Sequence, residues 1–166
     1  MLLLDADTLI QAKNTYYAFD FAPGFWDWLD RGHAAGLLAS VEAVGQELKR
    51  GHDELADWAS ARPSFFVQPG TAVPGSIAQL AAWVHGQAQY TAAARQEFLA
   101  GAGDLFLIAQ AHGGSHAVVT SEQSRPESKK RVMIPDVCQA VGVPCVDLFG
   151  ALRATGGLML VLSPAS

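Results

Sequence analysis

Short apolar runs punctuate a chain that otherwise reads as helical: LLL at 2–4, LLAS at 37–40, FFVQP at 65–69, HAVVTS at 116–121 and PCVD at 144–147. Strands of this length alternating with helices imply a parallel sheet covered on both faces. The expected fold class is therefore α/β, a three-layer α/β/α sandwich around a central, mainly parallel sheet of short strands.

The helices between these runs carry their own punctuation. Pro23 suits the first turn of a helix bearing Phe25, Trp26 and Leu29, and Gly51 ends another that begins near Val41. Asp53 caps DELADWASA, which Pro63 stops. The alanine-rich stretch from Ser76 to Ala100 supports one long helix or two shorter ones broken at Gly86. GAGDLFLIAQAHGG (101–114) places Asp104 in a first turn, with Leu105, Ile108 and Ala109 facing inward; IPDVCQAVG and LFGALR supply the last two helices. The aromatic segment 16–28 is a lid or a second hydrophobic cluster, and the helical spacing of Phe25, Trp26 and Leu29 favours the cluster.

At 166 residues, 50% hydrophobic and 16% charged, the chain is long and apolar enough for one domain with a proper core, expected over residues 1–153. Residues 154–166 form a tail that adds an edge strand, contacts a partner or frays, and its LMLVL (158–162) would suit a homodimer contact. Cys138 and Cys145 make a poor disulfide framework, so reduced thiols and a cytoplasmic location are expected. No apolar run approaches the ~18 residues of a membrane span and no basic signal-peptide start is present, so no membrane partner is expected. A formal net charge of -5 opposes a polyanionic partner unless cations occupy some of the carboxylates.

The carboxylates follow a pattern. In a parallel α/β sheet, functional groups gather where the strands end, because the loops there open on one side. Asp5 and Asp7 follow the first run and Glu122 follows HAVVT, while Glu47 and Asp104 sit on helices able to reach the same mouth. Five acids at one edge repel unless hard cations neutralise them, and carboxylate oxygens with water are what Mg²⁺ or Mn²⁺ prefers. Singly, each has a plainer reading: Asp7 and Asp104 as first-turn or capping residues, Glu47 as a solvated partner of Lys49 or Arg50. Asp5 differs, because an unpaired carboxylate closing a run of leucines is costly without a cation or a hydrogen-bond network.

LLLDADTLI, then QELKRG, then GAGDLFLIAQA, then VVTSE, in that order, resembles the PIN-domain nucleases, the family of the ribonuclease toxins of bacterial and archaeal toxin-antitoxin pairs. Within it the chain looks most like an uncharacterised, DUF4411-like branch, through DADTLIQAKNTYYAFDFAPGFWDWL and SKKRVMIPDVCQAVGVPCV. The resemblance implies that Asp5, Glu47 and Asp104 are metal-site acids, that Asp7 matches the polar second position, and that Thr120 with Glu122 matches the strand-end motif, where Asp is commoner than Glu. It further implies one or two Mg²⁺ or Mn²⁺ ions held by Asp5, Glu47, Asp104 and Glu122 as the catalytic carboxylates, phosphodiester hydrolysis without a covalent intermediate, an RNA substrate, and, for a toxin, a cognate antitoxin partner.

Arg125, Lys129, Lys130 and Arg131 fall immediately after Glu122, and a cationic loop beside a metal mouth would hold a polyanion that the acids alone repel. The alternative is a solvated loop interrupted by Glu127. Asp136 is either a further acid near the site or a helix cap.

Three rivals are weaker. A haloacid-dehalogenase-like phosphatase also begins with a strand ending Asp-x-Asp, but it wants Thr or Val where Leu9 stands, and Lys129 and Lys130 follow the later acids instead of preceding them. HGGSH (112–116) has the residue types of a Ser-His-Asp hydrolase without its nucleophile elbow. A catalytically dead binding module of the same fold is supported only by Glu122.

Overall fold

In the computed structural model, which describes residues 1–158, β1 (Leu2–Leu4) runs through the middle of a five-stranded sheet. β2 (Leu38–Val41) and β3 (Phe66–Val67) lie on one side of it, and β4 (Ala117–Val119) and β5 (Cys145–Val146) on the other, giving the order β3-β2-β1-β4-β5. Every pairing is parallel, with Leu2 opposite both Leu38 and Ala117. Leu3, Leu4, Val118 and Val119 have no exposed surface. Strands buried on both faces read as unbroken apolar runs without alternation, the pattern seen in the sequence.

Parallel neighbours need long crossovers, and helices supply them. They are α1 (Ala6–Asn14), α2 (Pro23–Ala34), α3 (Glu42–Lys49), α4 (Glu54–Ser60), α5 (Val73–Gly86), α6 (Ala92–Ala100), α7 (Ala102–Gly114), α8 (Ile134–Val141) and α9 (Leu148–Ala154). They flank the sheet in the expected three-layer α/β/α arrangement. α7 packs along β1, β2 and β4. α2 meets β2 at Gly32, where a Cβ would stand 2.4 Å from the Leu38 side chain.

The strands are shorter than the apolar runs because the flanking residues serve the helices. Pro63 opens a 3₁₀ turn, Pro63–Phe65, that takes Phe65 out of β3. Asp147 closes β5 by capping α9, accepting from the Gly150 amide at 2.6 Å. The stretch from Ser76 to Ala100 is two helices: Pro74 in a first turn starts α5 ahead of Ser76, and α5 ends at Gly86. Asp53 caps α4 as expected, accepting from Ala56 N at 3.0 Å, and also pairs with Lys13.

The aromatic segment is a hydrophobic cluster. Phe25, Trp26 and Trp28 are buried, Tyr17 stacks on Phe25 at 4.5 Å and Phe19 on Trp26 at 3.9 Å. The start of the tail joins it through the Trp28 indole N–H, which donates to the Thr155 hydroxyl at 2.8 Å. Of LMLVL only Leu158 is among the described residues, so the edge-strand, partner and homodimer readings of 159–162 lie outside them. Both cysteines are free. Among the described residues no helix is long and apolar enough to cross a membrane.

Candidate active site at the strand ends

The strand order creates a switch point. From β1 the chain moves to β2 and β3, then returns to β4 on the opposite flank of β1, so the connections leaving β1 and β4 diverge and open a crevice beyond their C-terminal ends. Asp5 follows β1 and Thr120 follows β4, and the two meet there: the Thr120 hydroxyl donates to Asp5 Oδ2 at 2.5 Å.

Asp5 is 1% exposed and is the N-cap of α1, its Oδ1 accepting from Thr8 N at 2.7 Å. Burial nevertheless pushes its carboxyl up to about 6, only partly offset by the bonds from Thr120 and Thr8, with Asp7 adding to the rise. Asp104, in the first turn of α7, is pushed up to about 7, first by burial and then by the charges of Glu122, Asp5 and Glu47, with Arg131 opposing. Burial and then Asp7 raise Glu47, in the last turn of α3, against the pull of Arg50. Asp7, Glu47, Asp104, Arg50 and Arg131 line one cleft of about 390 Å³. Its wall is tight at Gly103, where a Cβ would stand 2.7 Å from Glu47 Oε2.

Glu122 is brought near Asp104, but its carboxylate is engaged by other partners. Its amide donates to Thr120 Oγ1 at 3.1 Å, while its carboxylate accepts from the Arg131 guanidinium and, at 2.8 Å, from the first amide of α8, Ile134 N. Thr120 thus links Asp5 to the Glu122 backbone. Arg131 also stands 4.0 Å from Asp7, whose side chain is 50% exposed.

Asp136 is not a helix cap: its two oxygens accept from Ser124 Oγ at 2.5 Å and Arg125 N at 3.1 Å, tying down the loop after β4. Of the four basic residues, Arg131 alone lines the cleft; Arg125, Lys129 and Lys130 are exposed on the loop outside it. One wall residue escaped the sequence reading: Gly103 carries no signal beyond its place beside Asp104, whereas Arg50, expected as a partner of Glu47, lines the cleft with it.

The DUF4411 domain, a domain of unknown function, matches residues 2–157, nearly the whole chain. The chain belongs to this family. No curated protein and no solved structure matches it. The DUF4411 match names no activity, so the chemistry of this member has to be argued from its cleft.

Among the described residues, no group of three His, Cys, Asp or Glu side chains is set out to hold a metal ion. The donor chemistry of this DUF4411 cleft still fits one. Mg²⁺ takes one or two protein carboxylates and completes its shell with water and substrate phosphate. Asp5, buried, and Asp104, half-buried, are both raised by burial and then by neighbouring acids, and a divalent cation would stabilise their ionised forms.

Proposed function

We propose that the chain is a divalent-metal-dependent nuclease of the PIN-like kind, an endoribonuclease that hydrolyses phosphodiester bonds in the cytoplasm. The observation that carries the reading is the gathering of Asp5, Glu47 and Asp104 at the β1/β4 switch point, with Arg50 and Arg131 as the cations lining the cleft. Asp5, Glu47 and Asp104 would hold one or two Mg²⁺ or Mn²⁺ ions, with Glu122 joining them only if Arg131 releases it. When bound, such an ion supplies Lewis acidity toward the phosphodiester and acidifies a water.

The chain's own groups do the rest. Arg131 and Arg50 draw the scissile phosphate into the cleft, and the basic loop of Arg125, Lys129 and Lys130 holds the flanking backbone outside it. Asp7, half-exposed at the cleft, orients the attacking water. Thr120 holds Asp5 Oδ2 and the Glu122 amide at fixed positions. No side chain forms a bond to phosphorus.

The test is incubation of the purified chain with single-stranded RNA and Mg²⁺ or Mn²⁺. Internal cleavage is expected, abolished by EDTA and by Asp5→Asn or Asp104→Asn in proteins that still fold. Cleavage that survives both substitutions, or its absence under every divalent ion, overturns the reading. A toxin role with a cognate antitoxin rests on the family resemblance. Expression of the chain alone should then slow growth, and a neighbouring reading frame should encode a small DNA-binding protein.

A second reading, a binding module without catalysis, is favoured by the Glu122 carboxylate, already occupied by Arg131 and Ile134 N. Divalent-ion titration separates the two, because a dead module shows no binding.

A further inference from the structure

A second groove opens on the other side of the Asp5–Thr120 bond, between the end of α1, the residues after β4 and the start of α9. Its volume is about 210 Å³. We propose that it binds one unpaired nucleobase of the nucleic-acid substrate, with preference for a base bearing an exocyclic amino group; this rests on the nuclease reading.

Two exposed aromatic rings line this groove: Tyr16 is 68% exposed and Phe149 49% exposed. An aromatic ring left in water at a groove is a stacking surface for a planar heterocycle. The polar lining is of the kind that reads base edges. Gln11 and Gln123 each offer an amide donor and acceptor, and Asp147, with Oδ1 used to cap α9, has a second oxygen to accept from a base amino group. Among the described residues no Lys or Arg lines the groove, so a phosphate has no counter-charge there.

Thr8, 1% exposed, forms part of the groove's wall. The groove's lining is tied to the acids through the backbone. Thr8 donates its amide to Asp5, and Ser121, which lines the groove, directly follows Thr120. A base seated here would set which phosphodiester reaches the cleft.

The experiment uses the full chain without divalent ion and fluorescein-labelled RNA of about ten nucleotides, a usual site size for single-strand binders. The probes are an all-adenine strand, an all-uracil strand and a mixed-sequence duplex. Wild type should bind the adenine strand more tightly than the uracil strand. Tyr16→Ala and Phe149→Ala should each weaken adenine-strand binding about 5- to 100-fold, leave duplex binding unchanged, and be matched by full retention in Phe149→Trp. Both side chains are exposed, so thermal unfolding should be unaltered.

The proposal is overturned if wild type binds no single strand, if either alanine variant binds the adenine strand like wild type, or if the loss is equal on the duplex. A wild type that cuts RNA while both variants bind normally removes the base site and leaves the nuclease. A wild type that binds through Tyr16 and Phe149 but never cuts with Mg²⁺ or Mn²⁺ removes the nuclease and leaves the base site.

Discussion

Asp104 carries a carboxyl that binds its proton up to about pH 7, and Asp5 one up to about pH 6, whereas an unfolded chain releases both near 3.8. Between those values the folded state holds more protons than the unfolded state, so stability falls as pH rises. One pKa unit corresponds to ~1.4 kcal/mol, so the protein free of divalent ions should lose several kcal/mol between about pH 4 and pH 7 and level off above. Asp104→Asn should flatten most of that slope, as read by urea unfolding at a series of pH values. Thr120 gives a second residue-scale test. Thr120→Val removes the donor to Asp5 Oδ2 and should cost about 2 kcal/mol at pH 7 and less at pH 4, where Asp5 is protonated; Thr120→Ser should restore most of it.

At the scale of elements, the runs of buried residues were readable and the helix starts less so. Asp5 was legible as an acid at a strand's end, because a carboxylate after three leucines needs an explanation. That it caps α1 was not, since DADT reads equally as a loop until Thr8 turns its amide back. α1 itself went unread, but the first-turn reading of Asp7 holds, and there the helix dipole favours an acid. Glu122 was readable as an acid near the site and Asp136 as that or a helix cap, but their partners depend on where α8 docks, which local sequence does not encode. Packing of α7 on α3 supplies the element-scale test. Gly103→Ala should push the end of the flexible Glu47 side chain aside, changing stability by less than about 1 kcal/mol while weakening divalent-ion affinity about tenfold. Calorimetric unfolding and ion titration on the same variant separate the two effects.

At the scale of the molecule, the parallel α/β class followed from the spacing of the apolar runs, but the order β3-β2-β1-β4-β5 did not, because strand neighbours are chosen by long-range packing. That order assembles the candidate site: it seats Asp5 and Thr120 side by side and lets α3 and α7 deliver Glu47 and Asp104 from distant parts of the chain. The central claim, that these acids form a divalent-cation site, is tested most directly by Mn²⁺ titration of the full chain, followed by electron paramagnetic resonance. One or two bound ions are expected in wild type, with binding lost in Asp5→Asn and Asp104→Asn and retained in Arg131→Ala. No bound Mn²⁺ in wild type, or binding unchanged in Asp5→Asn and Asp104→Asn, would contradict it.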